Sequence, residues 1–157
     1  MSYTMQGIVG DEQILADAAF AASGFGAVRL PQGKALMLFT DRVREQFGLS
    51  FLPLTDEGES ELPASIREIC VRLSRAGKVA YIEAELFGSL GTQATAVWEN
   101  GQLIQPPIIS RTAINEGLRA LGVQATTGKD EFDALKLGAH RDIEDWVANI
   151  SIPNRRK

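Results

Sequence analysis

The sequence holds only one cysteine, Cys70, and one histidine, His140, among its 157 residues. One cysteine cannot form a disulfide within the chain, so we expect a reducing compartment such as the cytoplasm. Zinc sites usually take about four Cys or His ligands, which excludes that kind of site here, and no other pattern predicts a metal or a cofactor. Cys70 falls in an apolar helical stripe and is expected to be a small core residue.

Long apolar runs and an excess of basic residues are also missing. No run approaches the ~20 residues of a membrane span, and the start, MSYTMQGIVGDEQ, lacks the charged and apolar regions of a secretory signal. Lys and Arg number 16 against 20 Asp and Glu, giving a net charge of −4. Proteins that bind nucleic acids usually concentrate basic residues. We therefore expect a cytoplasmic protein with no membrane and no nucleic-acid partner, while the oligomeric state stays open.

The remaining composition is that of an ordinary globular domain. Hydrophobic residues make up 45% and charged residues 23% of the chain, whose length is close to the usual domain size of ~100–150 residues. No repeat, low-complexity segment or linker divides the sequence, so we predict a single domain over residues 1–157. Residues 153–157 end in three basic side chains and are expected to form a disordered, solvated tail.

Strand patterns occur in pairs that are joined by tight turns. Residues 78–105, KVAYIEAELFGSLGTQATAVWENGQLIQ, contain two alternating runs around a glycine-bounded turn, and then the hairpin signal Asn100-Gly101. Pro106-Pro107 is expected to break the ladder after this region, and a short extended segment could resume at Ile108-Ile109. Further strands are predicted over residues 3–9, 27–30 and 35–39. Tight turns imply antiparallel neighbours, because parallel pairing needs a longer crossover.

Helical spacing separates these strands. The clearest helix starts near Pro63 and ends at Gly77, and its apolar stripe consists of Ile66, Ile69, Cys70 and Leu73. Shorter helices are predicted over residues 11–22 and 42–47, after Thr112 and Asp130, and around Trp146. We therefore predict an α+β domain, an antiparallel sheet built from hairpins with helices packed on one face. The apolar run between Ala80 and Leu86 is expected to lie beneath the clearest helix.

Two acidic residues on one strand, Glu83 and Glu85, are the leading candidates for chemistry. Residues i and i+2 of a strand share a face at about 6.5–7 Å, and paired carboxylates could perform acid–base catalysis or bind a hard cation. In that alternative the protein is a small enzyme or ligand-binding protein that also uses Tyr81 and His140, with perturbed pKa values in a pocket. We favour an exposed or partner-facing role, because antiparallel sheets commonly leave one face solvated.

A second acidic region, residues 130–145, carries six acids against two basic residues. It is typical of solvated helix faces, and it could also meet a basic partner by charge complementarity. The predicted partner-binding residues are Glu83, Glu85, Asp142, Glu144 and Asp145. Trp98 and Trp146 could anchor an interface, although tryptophan is more often buried.

The string YIEAELFGSLGTQATAVW, residues 81–98, resembles a pattern in small uncharacterised bacterial cytosolic proteins, some of which are immunity-like. The resemblance implies a strand, an aromatic–glycine turn and a small-residue strand, and it implies no functional residue. The missing catalytic constellation, the acidic balance and the expected open polar face of the sheet favour a non-enzymatic protein-binding module, such as an immunity- or antitoxin-type inhibitor of a basic bacterial toxin. A structural subunit that pairs its hairpin edge with a second copy is a further alternative.

Overall fold

The computed structural model describes residues 2–16, 25–87 and 90–151 of the chain. Its strands are β1 (Ser2–Asp11), β2 (Ala27–Arg29), β3 (Lys34–Leu38), β4 (Val79–Phe87), β5 (Leu90–Glu99) and β6 (Gln102–Ser110). Its α-helices are α1 (Glu12–Leu15), α2 (Asp41–Phe47), α3 (Ala64–Ser74), α4 (Ala113–Ala120) and α5 (Glu131–Ala134). Short 3₁₀ helices lie at Pro31–Gly33, Leu137–Ala139 and Ile143–Asn149. The predicted helix over residues 11–22 begins as α1, and its residues 17–22 lie outside the described ranges, as does the predicted tail.

The six strands form one antiparallel sheet in the order β2-β3-β1-β4-β5-β6. Strands that follow each other closely in sequence pair as hairpins, as their tight turns predict. At the turn before β6, Asn100 and Gly101 both have positive φ values, 53° and 76°. This is the backbone that matches the twist of a two-residue hairpin turn and that Asn-Gly adopts readily. The predicted α+β class with an antiparallel sheet is confirmed.

Helices cover both faces of the sheet, which corrects the prediction of a single covered face. On one side, here called the α3 face, Ile66 and Cys70 of α3 share a core with Tyr81. On the other side, here called the α4 face, Ile114 of α4 shares a core with Ile82. The sheet is buried on both sides because its central strand β4 carries apolar residues at successive positions from Val79 to Ile82.

The apolar alternation of β4 therefore lies beneath a different helix than expected. Ala80, Ile82 and Ala84 point to the α4 face, where they join the core that contains Leu118. The clearest helix of the sequence, α3, covers the alternate positions of β4 instead. The prediction was wrong because a sequence shows that a strand has an apolar side without showing which helix will cover it.

Two helix starts carry side-chain caps, whereas α3 ends at Ser74 rather than at the predicted Gly77. Thr40 caps α2, its Oγ1 accepting a hydrogen bond from the Val43 N–H at 3.2 Å, and Asp130 caps α5 by accepting from the Asp133 N–H at 2.9 Å. The segment around Trp146 forms a 3₁₀ helix rather than an α-helix. Among the helices of the described ranges, none has both the length and the apolar character that crossing a membrane requires.

β6 continues through Pro106-Pro107, where the sequence predicts a break. The prolines coincide with an irregular register, because Thr95 of β5 pairs with Ile108 whereas Val97 pairs with Gln105. Proline lacks an N–H and is tolerated in an edge strand, where one side of the backbone needs no partner strand. The strand therefore survives the two prolines because it lies at the edge of the sheet.

Candidate functional site

The outer edge of β6 is the most apolar exposed feature of the described residues. Leu103, Ile104 and Ile109 are 46%, 47% and 49% exposed. The other large apolar side chains with comparable exposure in the described ranges, Phe51, Phe87 and Val147, each lie on a different element. An exposed apolar edge strand is a site at which another chain can dock.

A groove with a volume of about 390 Å³ lies beside this edge. Its residues come from the loop before α3, from α3 itself and from β5 and β6: Ser60, Glu61, Leu62, Arg67, Trp98, Leu103, Pro106 and Pro107. Leu62 and Trp98 are each only 3% exposed and form apolar walls, whereas Leu103 stands at the rim. This volume is at the low end of the ~300–1,000 Å³ typical of ligand sites.

The loop that forms one wall of the groove is strongly acidic. Glu57, Glu59 and Glu61 are exposed, and none of their side chains has an ion pair or hydrogen bond within the described part of the chain. Arg67 is the basic residue among the groove residues, and it too has no side-chain partner there. Of these four charged residues, Glu61 and Arg67 line the groove, whereas Glu57 and Glu59 precede Glu61 in the same loop.

Glu83 does not face water, contrary to the favoured interpretation of the sequence. Its side chain lies on the α3 face with no exposed surface, beneath the loop that follows α2. Four donors reach its carboxylate: the Leu54 N–H at 3.1 Å, the Thr55 N–H at 2.8 Å, the Thr55 hydroxyl at 2.9 Å and the Tyr81 hydroxyl at 2.6 Å. These contacts match the acceptor capacity of an ionised carboxylate, so they attach the loop to the sheet.

The network extends from Tyr81 to α2 through Gln6. The Tyr81 hydroxyl accepts a hydrogen bond from Gln6 Nε2 at 2.9 Å, and the same nitrogen donates to the Ser50 carbonyl at 2.9 Å. Arg44 of α2 donates to Gln6 Oε1 at 3.4 Å and to the Phe39 carbonyl. Each of these buried polar groups has a partner, which reduces the cost of removing them from water.

Burial is the largest influence on the ionisable groups of this cluster. It raises the pKa of Glu83 above its ordinary value, while the donors from Tyr81, Thr55 and Leu54 act in the opposite direction. Burial and the neighbouring Glu83 charge together raise the pKa of Tyr81. Perturbed pKa values of this kind occur both at catalytic sites and in structural networks. Here every oxygen of Glu83 is already occupied, which leaves no position for a substrate atom unless the loop moves.

Glu85 lies on the same face as Glu83, nearer the end of the sheet, and is partly buried. Burial, followed by the charge and the hydrogen bond of Asp56, raises the pKa of Glu85. A second negative charge nearby disfavours ionisation of Glu85, because like charges repel. Within the described residues, no cluster of three or more His, Cys, Asp and Glu is arranged to hold a metal ion.

The remaining predicted residues lie in the C-terminal segment. The Thr4 N–H donates to the Arg141 carbonyl at 2.8 Å, and Thr4 pairs with Glu85 across β1 and β4, so residues 141–145 approach the same end of the sheet as Glu85. Asp142 and Asp145 are exposed. Glu144 accepts a hydrogen bond from the Asp41 N–H at 2.8 Å, where a carboxylate suits the start of α2.

His140 has contacts of its own, away from the carboxylate cluster. Its ring packs edge-on against Trp146 with centroids 4.8 Å apart, and Nε2 lies 2.9 Å from Asn149 Oδ1. Trp98 and Trp146 are both 3% exposed and belong to the core, so neither is a surface anchor. The predicted burial of Cys70 is confirmed, and burial raises the pKa of its thiol.

The sequence did not single out the β6 edge or the partners of Glu83. The proline pair within an otherwise strand-like segment was an available signal for an edge strand, because prolines in sheets are largely confined to edges. No such signal existed for Gln6 or Thr55, which lie 77 and 28 residues from Glu83 in the chain. Only in the folded protein does Thr55 bond Glu83 and Gln6 bond Tyr81.

The chain matches no protein-family model, no curated protein and no solved structure.

Proposed function

We propose that this protein is a non-enzymatic protein-binding module that meets its partner with the outer edge of β6. The observation that carries the proposal is the exposure of Leu103, Ile104 and Ile109 on one edge strand. Exposed apolar edges promote aggregation unless they are covered. A partner that covers this edge would bury apolar surface, worth roughly 25 cal/mol per Å² before the costs of association.

Charge supports a basic partner. The chain has a net charge of −4, and the exposed Glu57, Glu59 and Glu61 lie in the loop next to this edge. Complementary charge speeds encounter and selects partners more than it adds affinity. The finer proposal is therefore a cytoplasmic immunity- or antitoxin-type inhibitor that occludes a basic bacterial toxin. Residues 81–98 resemble a pattern in small bacterial cytosolic proteins, some of which are immunity-like.

The alternative, a small enzyme built on Glu83 and Glu85, has weaker support. A general base must reach the proton it abstracts, and the Glu83 carboxylate is fully buried with four protein donors. Glu85 is more accessible and shares its environment with Asp56, so a role in contacting a partner at that end of the sheet stays a prediction.

Co-expression with the products of neighbouring coding sequences tests the proposed function. We expect a stable complex whose affinity falls as salt rises, because surface charges are screened beyond ~8–10 Å at physiological ionic strength. The substitutions Ile104→Asp and Ile109→Asp should abolish it, whereas Val147→Asp is a matched exchange at a side chain of similar exposure, 43%, on another element. Absence of any complex, or equal loss with the Val147 variant, would refute the proposal.

A further inference from the structure

The groove beside β6 combines apolar walls with one unpaired acidic residue, Glu61, at the end of an acidic loop. Leu62 and Trp98 provide nearly buried apolar surface, and Leu103 extends that surface to the solvent at 46% exposure. A space of about 390 Å³ is large enough for one bulky side chain and small for a folded element. The shape therefore suits a single anchoring residue of an extended chain.

The charges around the groove select the residues that can flank this anchor. Glu61 lines the groove at the end of an acidic loop that also carries Glu57 and Glu59, and Arg67 is the basic residue of the lining. None of these side chains has a partner in the described ranges. A ligand that brings Lys or Arg to the loop side gains attraction, and an acidic ligand meets net repulsion. Charge thus distinguishes a basic segment from an acidic or neutral one.

The backbone of β6 limits the way in which such a segment is held. Pro106 and Pro107 both line the groove and have no N–H to donate. An added strand, including the β6 edge of a second copy, cannot form an uninterrupted ladder across these two positions. Side-chain recognition in the groove is therefore favoured over continuous strand addition, and a partner of different sequence is favoured over self-pairing.

We propose that the groove binds an extended segment of a partner protein that inserts one large apolar side chain between Leu62, Trp98 and Leu103 and carries Lys or Arg within a few residues. The proposal rests on the proposed function and deepens it, because it names the chemistry that the β6 side of the molecule recognises. The apolar anchor contributes affinity, and the basic flanks contribute selectivity and salt dependence.

A phage-displayed library of random linear dodecapeptides, selected on the full chain, provides the probe. The enriched peptides should contain a large apolar residue with Lys or Arg nearby. A synthetic copy of an enriched peptide should lose at least about tenfold in affinity for the Leu103→Asp variant, as expected for a truncated anchor contact of about 1.4 kcal/mol. Its affinity for the Val147→Asp variant should not change.

A gain of affinity separates the proposal from a folding defect. Arg67→Gln removes the one positive charge at the rim, so binding of the basic peptide should tighten by about threefold at low salt and should not change at high salt. Glu59→Gln should weaken it by a similar factor. Failure to enrich any peptide, enrichment of acidic peptides, or indifference to Leu103→Asp would each overturn the proposal.

The outcome also distinguishes this proposal from the proposed function. If the peptides behave as expected but co-expression gives no complex, the groove is a binding site and the neighbouring gene products are not its partners. If Ile109→Asp abolishes the complex and Leu103→Asp does not affect it, the proposed binding module stands and the groove is not its binding site. A dimer in sedimentation equilibrium that dissociates with Leu103→Asp would assign the groove to a second copy and overturn the partner segment.

Discussion

The Tyr81→Phe substitution tests whether the buried Glu83 carboxylate is an ionised anchor for the loop above it. The change removes one hydroxyl that donates to Glu83 at 2.6 Å and accepts from Gln6 at 2.9 Å. Gln6 keeps the Ser50 carbonyl as a partner for its amide nitrogen. The substitution therefore mainly removes the hydrogen bond to Glu83. Hydrogen bonds to charged groups contribute about 1.5–3 kcal/mol to the free energy of unfolding. We expect the free energy of unfolding at pH 7.5 to fall by about 2 kcal/mol, or ~4–8 °C in Tm for a domain of this size.

The loss of stability in Tyr81→Phe should depend on pH, and the raised pKa of Glu83 sets the direction of that dependence. Burial raises the pKa of Glu83 in the folded protein above its value in the unfolded chain. The contribution of Glu83 to stability is therefore complete below the pKa of the unfolded chain and declines as pH rises through the pKa of the folded protein. Tyr81 lowers that folded pKa, so its removal makes the decline larger. The cost of Tyr81→Phe should therefore be greatest at neutral pH and should shrink to about 0.5–1.5 kcal/mol near pH 4, where Glu83 is protonated.

Tyr3→Phe is the matched control for this experiment. The Tyr3 hydroxyl is also partly buried and donates to the Leu137 carbonyl at 2.7 Å, a neutral acceptor. Its loss should cost about 0.5–1.5 kcal/mol at every pH. Urea denaturation of both variants at pH 7.5 and pH 4, with unchanged m-values, measures the two costs. If Tyr81→Phe costs less than about 0.5 kcal/mol at pH 7.5, or follows Tyr3→Phe at both pH values, the buried carboxylate is not an ionised anchor.

Two further substitutions test the electrostatics and the packing. Glu85→Gln removes a carboxyl group whose pKa is raised by burial and by Asp56. Because the wild type loses stability as pH rises through that pKa, the melting temperature of the variant should depend less on pH. At neutral pH the variant should be at least as stable as the wild type. A steeper profile would contradict the shared environment of the two carboxyl groups. Gly117→Ala places a Cβ 2.2 Å from Thr95 Oγ1 and should destabilise the contact between α4 and β5 by about 1–3 kcal/mol. Adding Thr95→Ala should recover much of this loss in chemical denaturation, and no recovery would contradict the close approach.

Local signals predicted the elements of this fold, and long-range pairing decided their arrangement. The Asn100-Gly101 turn, the Thr40 and Asp130 caps and the apolar stripe of α3 are all properties of a few consecutive residues, and all are present in the structure. The position of β1 between β3 and β4 is not such a property. It depends on pairing with residues more than 20 positions away, for which the strand pattern alone contains no register.

The same distinction explains why one candidate residue was misplaced and another was missed. Alternation correctly put Glu83 on the face opposite Ala84, but an acidic residue at a strand position was interpreted as solvent-facing. Burial of a carboxylate becomes affordable only when several donors converge, and those donors come from distant segments. Ile109 was missed for the converse reason, since its apolar side chain resembles a core residue until β6 is known to be an edge strand.

Glu83 therefore acts on the proposed binding surface through the loop rather than by touching a partner. Its carboxylate holds the N–H groups of Leu54 and Thr55. A backbone hydrogen bond closes the same loop, in which the Glu59 N–H donates to the Pro53 carbonyl at 2.9 Å. The next two residues of the chain, Ser60 and Glu61, line the groove. Releasing these hydrogen bonds would free the loop that leads through Glu59 to Glu61 in the groove. The buried carboxylate thus orders the loop, and the proposed function assigns recognition to the exposed carboxylates that follow it in the chain.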